Sequence, residues 1–304
     1  MGPTAAGKTS VAVALKDRFP VDLISVDSAL VYRRLDIGTA KPDAATLEEA
    51  PHRLINIRDP EQSYSAAEFR NDALAAMTEI SAGQRIPLLV GGTMLYFRAL
   101  SAGLDALPKA SPLIRQQLDQ QAAADGWSAL YKELQQVDPD SAARIAPGDN
   151  QRIQRALEVF RLTGIPLSRQ LGGQGVEKLP YRVLKIVVSP AQRSVLHQRI
   201  TERFEAMLEA GFLAEVERLM QHPGLTGNSP SMRAVGYRQA WSHLSGETDF
   251  ETFTRQSLSA TTQLAKRQLT WLRAEPDTLW YDAINKSVKS LIFNEVRSFL
   301  ESGA

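Results

Sequence analysis

The stretch Gly2-Pro3-Thr4-Ala5-Ala6-Gly7-Lys8-Thr9 fits the pattern G-x-x-x-x-G-K-[ST] at every position of the motif. Glycines in such a turn let backbone N–H groups approach a phosphate closely. A helix that begins near Lys8 turns its positive end toward the anion, Lys8 adds a charge, and the Thr9 hydroxyl is a ligand for Mg²⁺. The stretch predicts a site for a diphosphate or triphosphate, and it does not say that the ligand is a nucleotide.

Short apolar strands alternate with helices after this turn. The predicted elements are helices at residues 10–19 and 66–80, the second with Ser65 as N-cap and Glu68 three residues later, and strands at 21–26, 53–57 and 86–90. This alternation is typical of an α/β fold with a mainly parallel sheet, here of the P-loop NTPase type. A phosphate loop normally follows a buried central strand. No such strand precedes Gly2, so we expect a missing N-terminal segment to supply it.

The pattern changes after the third predicted strand. Strand patterns vanish between about residues 112 and 180, Gly172-Gly173-Gln174-Gly175 predicts a flexible exit, and residues 182–188 return to a strand. We therefore expect an all-helical insertion that swings onto its substrate and closes the site. The predicted organisation is a core domain of residues 1–111 and 179–304, an insertion of residues 112–178, and long amphipathic helices at 193–221 and 251–273.

Composition narrows the class of protein. The 304 residues are 43% hydrophobic, which predicts a packed globular chain, and no apolar run approaches the roughly 20 residues that span a bilayer. The sequence contains no cysteine, which excludes disulfides and thiolate metal sites and fits a reducing cytoplasm. The net charge of +1 argues against a protein that coats long nucleic acids, but a local basic groove remains compatible with it. The four histidines are dispersed, and their spacing does not suggest a zinc site.

Asp27 directly follows the predicted strand 21–26. The carboxyl ends of parallel strands face the ligand crevice, so we expect Asp27 near the bound phosphates. Its carboxylate suits either a Mg²⁺ shell or a general base, and Asp27-Ser28 is also a common cap of a turn or helix. The neighbouring phosphate loop favours a functional role. Residues that would extend a basic surface near it are Arg33, Arg34 and Lys41.

Further motifs extend along most of the chain. They are residues 24–32 (ISVDSALVY), 36–42 (DIGTAKP), 51–54 (PHRL), 64–69 (YSAAEF), 88–96 (LLVGGTMLY), 151–152 (QR), 155–159 (RALEV), 235–239 (VGYRQ), 266–268 (KRQ) and 271–273 (WLR). Together they make the chain similar to the tRNA dimethylallyltransferase family, from residue 2 to about residue 280. The residue at position 6, often Ser in relatives, is Ala here, and we expect little effect because the glycines and the lysine of the loop are kept.

The resemblance implies a reaction and a set of partners. It implies transfer of a dimethylallyl group from dimethylallyl diphosphate to the exocyclic amine of the adenosine beside the 3′ side of the anticodon. The tRNAs concerned read codons that start with U. The implied cofactor is Mg²⁺, and the implied protein is a cytoplasmic monomer that binds the tRNA anticodon stem-loop and no membrane.

The resemblance also implies roles for individual residues. Asp27 accepts the proton of the amine, Thr93 lies in the reaction channel, and Arg115 reaches that channel from the insertion. Lys8 stabilises the leaving diphosphate. The implied diphosphate ligands are Gly2, Thr4, Ala5, Ala6, Gly7, Lys8 and Thr9, with Thr9 also on the metal. The implied tRNA contacts are Asp27, Ser28, Ala29, Leu30, Gln151, Arg152, Ile153, Gln154, Arg155, Arg233, Gly236, Tyr237, Arg238, Lys266, Arg267 and Arg273. Without the resemblance, the arginine faces of residues 151–161 and 263–273 would be interpreted as solvated helix faces.

Two other functions use the same residues. A P-loop kinase of a small metabolite or nucleotide would share the loop, Asp27 and an arginine-bearing lid, but it would consume ATP. A non-catalytic RNA-binding protein could also share the fold, because a fold alone does not fix activity. The joint presence of Lys8, Thr9, Asp27 and Thr93 argues against the second alternative.

Overall fold

The structure, a computed structural model, describes residues 1–105, 107–172 and 179–302. The chain divides into two compact units. The core unit consists of Met1–Ser101 with Leu179–Ala304, and the helical unit is Ala102–Lys178. Of the glycine-rich exit predicted at 172–175, residues 173–175 lie outside the described residues.

Strands occur in the core unit, and helices occur in both units. The strands are β1 (Val21–Val26), β2 (His52–Arg53), β3 (Ile86–Gly91), β4 (Lys185–Ser189) and β5 (Thr278–Asp282). The helices are α1 (Lys8–Lys16), α2 (Ala44–Glu49), α3 (Ala66–Ala82), α4 (Met94–Ala102), α5 (Pro112–Asp125), α6 (Trp127–Val137), α7 (Pro139–Arg144), α8 (Asn150–Thr163), α9 (Leu167–Gln170), α10 (Arg193–Glu209), α11 (Phe212–Met220), α12 (Tyr237–Leu244), α13 (Phe250–Ala274) and α14 (Val288–Glu301). Helices α5 to α9 belong to the helical unit.

The strands are parallel, which confirms the predicted α/β class. β1 lies between β2 and β3, and its pairing with β3 runs in register from Val21 opposite Ile86 to Val26 opposite Gly91. β4 pairs in parallel with β5 as a second, two-stranded sheet. The Val188 N–H of β4 donates to the Met1 carbonyl oxygen at 3.0 Å, so the residues before the phosphate loop run beside β4. The expected upstream strand stays a prediction.

The sheet and its flanking helices position the ends of β1 and β3. The side chains of Leu23, Ile24 and Val26 are fully buried, as expected for a strand covered on both faces. α3 begins with the predicted capping box, in which Ser65 and Glu68 each accept a hydrogen bond from the backbone N–H of the other. Phe69 of α3 then stacks on Tyr96 of α4, with ring centroids 4.4 Å apart, so both helices pack on the same side of the sheet.

Two predicted elements differ from the structure, and two observed elements had no counterpart in the prediction. The strand expected at 53–57 is only the two residues of β2, because Leu54 and Asn56 have φ values of 66° and 57° that no extended strand permits. The helix expected at 193–221 is divided into α10 and α11 by Gly211, whose φ of 91° ends the helical hydrogen bonding. β5 and α14, near the end of the chain, were not predicted from the sequence.

The helical unit has a core of its own. Leu118, Leu130, Leu134, Ile153 and Leu157 are fully buried within it. Amphipathic helices that bury one face against each other form such a core without any strand. Side chains on the outer faces of α5 to α9 are therefore the ones that remain available for other contacts.

Candidate functional site

The glycine-rich loop leads directly into α1, as predicted. Ala5 and Gly7 have φ values of 61° and 85°, so the backbone curls before the helix begins at Lys8. The Lys8 Nζ donates a hydrogen bond of 2.7 Å to the Pro3 carbonyl oxygen and closes the loop. The first N–H groups of α1 have no partner within the helix, which gives this end its affinity for anions.

A cavity of about 590 Å³ opens at this loop. Its lining consists of Thr4, Ala5, Ala6, Gly7, Lys8, Thr9, Ser25, Asp27, Leu30, Thr39, Ala40, Pro42, His52, Val90, Gly91, Arg199, Glu202 and Arg203. The predicted diphosphate ligands Thr4 to Thr9 and the predicted base Asp27 thus line one cavity. Gly2 packs elsewhere, since a Cβ on it would lie 2.2 Å from the Val188 carbonyl oxygen of β4.

Two basic side chains face this cavity from partly buried positions. Burial lowers the pKa of the Lys8 ammonium to about 8, while Asp27 opposes the shift and Arg203 adds to it. Burial likewise lowers the pKa of the Arg203 guanidinium, again against the attraction of Asp27. Two desolvated cations beside one carboxylate favour the binding of a strongly negative ligand such as a diphosphate.

Asp27 lies at the carboxyl end of β1, as expected. Its Oδ1 accepts hydrogen bonds from the backbone N–H groups of Ala29 at 2.9 Å and Leu30 at 3.3 Å. Asp27 therefore caps a turn and also lines the cavity, so the two sequence interpretations are compatible. Because both of these bonds go to Oδ1, Oδ2 is the oxygen better placed to accept a proton or to face a cation.

Thr93 is connected to the turn that carries Asp27 by a hydrogen bond from Ser28, the residue after Asp27. Its Oγ1 accepts the Ser28 N–H at 3.1 Å, and its own N–H donates to the Val26 carbonyl oxygen at 3.2 Å. The threonine follows β3 and begins the turn into α4, and it lies beside the cavity rather than among its lining residues. The ends of β1 and β3 therefore bring Asp27 and Thr93 together.

Arg199, Arg203 and Gln268 were not assigned to the phosphate site from the sequence. Arg199 and Arg203 come from α10, and the Arg203 Nη2 donates to the Thr4 Oγ1 at 2.7 Å. Gln268 of α13 accepts the Thr4 N–H. The spacing of the two arginines, four residues apart on one helical face, was a usable signal, but it does not say which distant segment that face meets.

A buried carboxylate shapes the wall of the cavity formed by residues 36–40. Glu215 Oε2 accepts the N–H groups of Asp36 at 3.0 Å and Ile37 at 2.8 Å, and Oε1 accepts that of Gly38 at 3.2 Å. The Tyr237 hydroxyl donates to the same Oε1 at 2.6 Å. Four donors thus satisfy one carboxylate of the α11 helix, and they fix the loop that carries Thr39 and Ala40.

Lys41 does not extend a basic surface, contrary to expectation. Its side chain is only 4% exposed, and its ammonium donates to the Tyr32 carbonyl oxygen at 2.7 Å. The same nitrogen bonds to the side chains of Asp36 and Asn56 at 2.5 and 2.6 Å. The lysine stabilises the loop from within because a cation with three such partners need not face water.

The predicted tRNA contacts differ in exposure. Those with exposed side chains are Ser28, Gln151, Arg152, Arg233, Arg238, Lys266, Arg267 and Arg273, and those partly exposed are Asp27, Ala29, Leu30, Gln154 and Arg155. Ile153 and Tyr237 are fully buried, and Gly236 is buried as well. A side-chain contact with RNA from Ile153 or Tyr237 is therefore not compatible with this structure, because both pack in the cores of their units.

Arg115 takes part in an ion-pair network inside the helical unit. Its Nε donates to the fully buried Glu158 at 2.9 Å, and the Arg155 Nη1 donates to the same carboxylate at 2.6 Å. Burial acts to raise the pKa of Glu158, but the hydrogen bonds from the two arginines hold it below its ordinary value. The proposed reach of Arg115 into a reaction channel stays a prediction.

Within the described ranges, no group of three or more His, Cys, Asp and Glu side chains is arranged to hold a metal ion. None of the helices in the described ranges is long and apolar enough to cross a membrane. The cavity at the glycine-rich loop, which is lined by Lys8, Arg199 and Arg203, is the candidate functional site.

The fold and the cavity define a class of protein: an α/β protein of the P-loop type, with a cavity of about 590 Å³ that is lined by the glycine-rich loop and by basic side chains. Residues 30–275, most of the chain, match the family described as IPP transferase. The chain belongs to this family.

Individual relatives agree with that assignment. The chain is 60% identical over 276 residues to the tRNA dimethylallyltransferase of Thioalkalivibrio sulfidiphilus, covering 91% of this chain and 86% of the relative. It is similar to the crystal structure of the tRNA isopentenylpyrophosphate transferase from Bacillus halodurans, with a TM-score of 0.72, 34% identity and coverage of 99% and 95%. It is also similar to a eukaryotic dimethylallyltransferase acting on tRNA, with a TM-score of 0.77, 26% identity and coverage of 94% and 73%.

Proposed function

We propose that this protein transfers a dimethylallyl group from dimethylallyl diphosphate to the exocyclic amine of the adenosine 3′-adjacent to the anticodon, in tRNAs that read codons starting with U. The observation that carries the proposal is the joint lining of one cavity by the phosphate loop and by Asp27. The names of the relatives support this function over the kinase alternative.

The leaving group occupies the loop in this proposal. The oxygen–carbon bond between the diphosphate and C1 of the prenyl group breaks, and the electron pair leaves with the diphosphate. Lys8, Arg203 and the first N–H groups of α1 stabilise that charge, because they face the cavity before the reaction begins. Arg199 adds a further positive charge at the rim.

The nucleophile arrives from the tRNA. The lone pair of the adenine amine is delocalised into the ring, so the amine needs a base as the nitrogen–carbon bond forms. Asp27 accepts the proton in the proposal, through the oxygen that does not cap the turn. The adenine must first leave its stack, at a cost of a few kcal/mol that is smallest in a single-stranded loop.

The residues present fit a Mg²⁺ ion. Mg²⁺ usually keeps several waters and is held by one or two protein oxygens together with substrate phosphates. Thr9 and Asp27 line the same cavity, and so does Ser25, whose buried hydroxyl has no hydrogen-bond partner among the described residues. We propose that Thr9 ligates the ion and that Asp27 and Ser25 face its water shell. When bound, the ion supplies positive charge to the diphosphate.

In the core unit, the exposed basic residues of α13 together with Arg233 and Arg238 are a proposed tRNA surface. In the helical unit, Arg152 of α8 is a separate proposed tRNA contact. We retain the proposal that residues 112–178 swing onto the anticodon stem-loop. Equal proteolysis of this segment with and without tRNA would count against that motion.

We further propose a cytoplasmic monomer, and the cysteine-free composition supports that location.

The decisive experiment is transfer of label from dimethylallyl diphosphate to tRNA, with Mg²⁺ and without ATP. We expect the wild type to transfer label and Asp27→Asn to lose at least about 10²-fold in kcat, since it keeps the shape but not the base. The matched control is Asp22→Asn on the same strand, whose carboxylate pairs with Arg85 away from the cavity. Turnover of ATP without prenyl transfer would instead favour the kinase.

A further inference from the structure

Gln268 of α13 lies between the phosphate loop and the turn that follows β3. Its Oε1 accepts the Thr4 N–H at 2.8 Å, and its Nε2 donates to the Gly92 carbonyl oxygen at 2.9 Å. Both ends of one side-chain amide are thus used, on partners that are 264 and 176 residues away in the chain. A single rigid group therefore sets the separation of two backbone segments.

The contact at Gly92 is tight. A Cβ on this residue would lie 2.5 Å from the Gln268 Nε2 and 3.0 Å from the Gly2 carbonyl oxygen. Only glycine permits this approach of loop, turn and amide without displacement. The arrangement thus requires both the glycine in the turn and the amide that bridges it.

The two bridged segments carry different parts of the proposed chemistry. Thr4 belongs to the diphosphate loop, and its hydroxyl also accepts from Arg203. Gly92 precedes Thr93, whose Oγ1 accepts the N–H of the residue after Asp27. Gln268 therefore links the segment that holds the leaving group to the segment that lies beside the base. Errors of about 1 Å between reacting groups can cost about 10²-fold in rate.

We propose that Gln268 is a positioning residue, which fixes the diphosphate loop relative to the Thr93 turn. The inference rests on the proposed function and deepens it. The adjacent Lys266 and Arg267 are exposed on α13, so the helix offered to tRNA is the one that anchors this bridge. Gln268 itself does not touch the reacting atoms.

Gln268→Met removes both hydrogen bonds at similar volume, and Gln263→Met is the matched control, because Gln263 is exposed on the same helix. We expect Gln268→Met to lower kcat by about 10²-fold, while KM for dimethylallyl diphosphate and the affinity for inorganic pyrophosphate change far less. A fall in kcat no larger than in Gln263→Met, or one explained by the unfolded fraction alone, would overturn the proposal.

Gln268→Glu provides a readout that a purely structural role would not move. An ionised glutamate keeps the acceptor for Thr4 but sets a negative oxygen against the Gly92 carbonyl. A protonated glutamate restores both bonds, because its hydroxyl donates. The ratio of its kcat to the wild-type kcat should therefore rise as the pH falls, with no such rise for Gln268→Met. A pH-independent ratio would contradict the bridge.

Amide hydrogen exchange in the ligand-free protein separates this inference from the proposed function. The Thr4 N–H should exchange faster in Gln268→Met than in Gln263→Met, whether or not the protein transfers a prenyl group. Equal exchange would overturn the positioning role, even where wild-type transfer is observed. Faster exchange in Gln268→Met, together with a wild type that transfers no prenyl group, would leave the bridge in place and reject the proposed reaction.

Discussion

One pair of basic side chains in each unit shows the contrast between a desolvated cation and a neutralised one. In the core unit, Lys8 and Arg203 line the cavity, and burial lowers the pKa of each. In the helical unit, Arg115 and Arg155 share the buried carboxylate of Glu158. Lys8 and Arg203 are desolvated and form no salt bridge with a carboxylate in the described parts of the chain. Arg115 and Arg155 are neutralised by the carboxylate of Glu158.

This difference indicates where an anion binds without rearrangement. A ligand at the core cavity supplies the negative charge that its cations lack, so binding recovers part of the cost of their burial. An anion at Arg115 must compete with Glu158, whose two oxygens already accept from both arginines. The cations of the core cavity are therefore available to an anionic ligand, and any use of Arg115 on a substrate must first loosen an ion pair.

Lys8→Met tests the desolvated cation and should have the largest effect. Removing one preorganised group that stabilises developing charge typically costs about 10²–10³-fold in kcat. We expect a loss of this size in prenyl transfer, together with weaker binding of inorganic pyrophosphate by calorimetry.

The control for that variant is Lys16→Met, at the other end of α1, whose ammonium lies 3.9 Å from Asp22. It removes the same charge from the same helix but not from the cavity. Equal losses in the two variants would mean that net charge, rather than the cavity, sets the affinity for the anion.

Glu158→Gln tests the neutralised pair. Breaking a buried ion pair leaves charge uncompensated, and because the Arg115 side chain is 44% exposed we expect the low end of that cost, about 3 kcal/mol in the free energy of unfolding. Urea denaturation followed by circular dichroism measures it. The folded-state pKa of Glu158 is lowered, so this stabilisation is present above its unfolded value of 4.5 and is lost as the pH falls through the folded value.

Glu133→Gln is the comparison within the same unit. Glu133 pairs with Arg161 at 2.9 Å, but both side chains are about a quarter exposed. Exposed pairs contribute about 0–1 kcal/mol. A loss in Glu133→Gln as large as that in Glu158→Gln would show that burial is not what distinguishes the two pairs.

Local sequence predicted the parts of the site that are local in the chain. The phosphate loop is contiguous, and Asp27 could be placed because strand ends face the crevice of a parallel sheet. Arg203 and Gln268 could not be placed, since they meet Thr4 from 199 and 264 residues away. The orientation of side chains could not be predicted from the sequence motifs either. Tyr237 belongs to a motif that also contains polar residues, yet its side chain is buried and its hydroxyl donates to Glu215.

A further prediction concerns the pH dependence of anion binding at the cavity of the core unit. Lys8 has a pKa of about 8 in the ligand-free protein, and a bound anion raises it, so pyrophosphate binding takes up a proton above that pH. The dissociation constant should then rise by up to about tenfold per pH unit above 8. Calorimetry in two buffers of different ionisation enthalpy measures the proton uptake directly. A dissociation constant that stays flat from pH 8 to pH 10 would show that Lys8 keeps its proton in the free protein.

Two tyrosine hydroxyls, one in each unit, allow a last comparison. Tyr237 donates to the Glu215 carboxylate at 2.6 Å, and Tyr131 donates to the Ala142 carbonyl oxygen at 2.9 Å. Hydrogen bonds to charged groups contribute about 1.5–3 kcal/mol, and those between neutral groups about 1 kcal/mol. Tyr237→Phe should therefore destabilise the protein more than Tyr131→Phe in urea denaturation. Equal losses would mean that the remaining three N–H donors already satisfy Glu215, and that this buried carboxylate does not depend on the tyrosine hydroxyl.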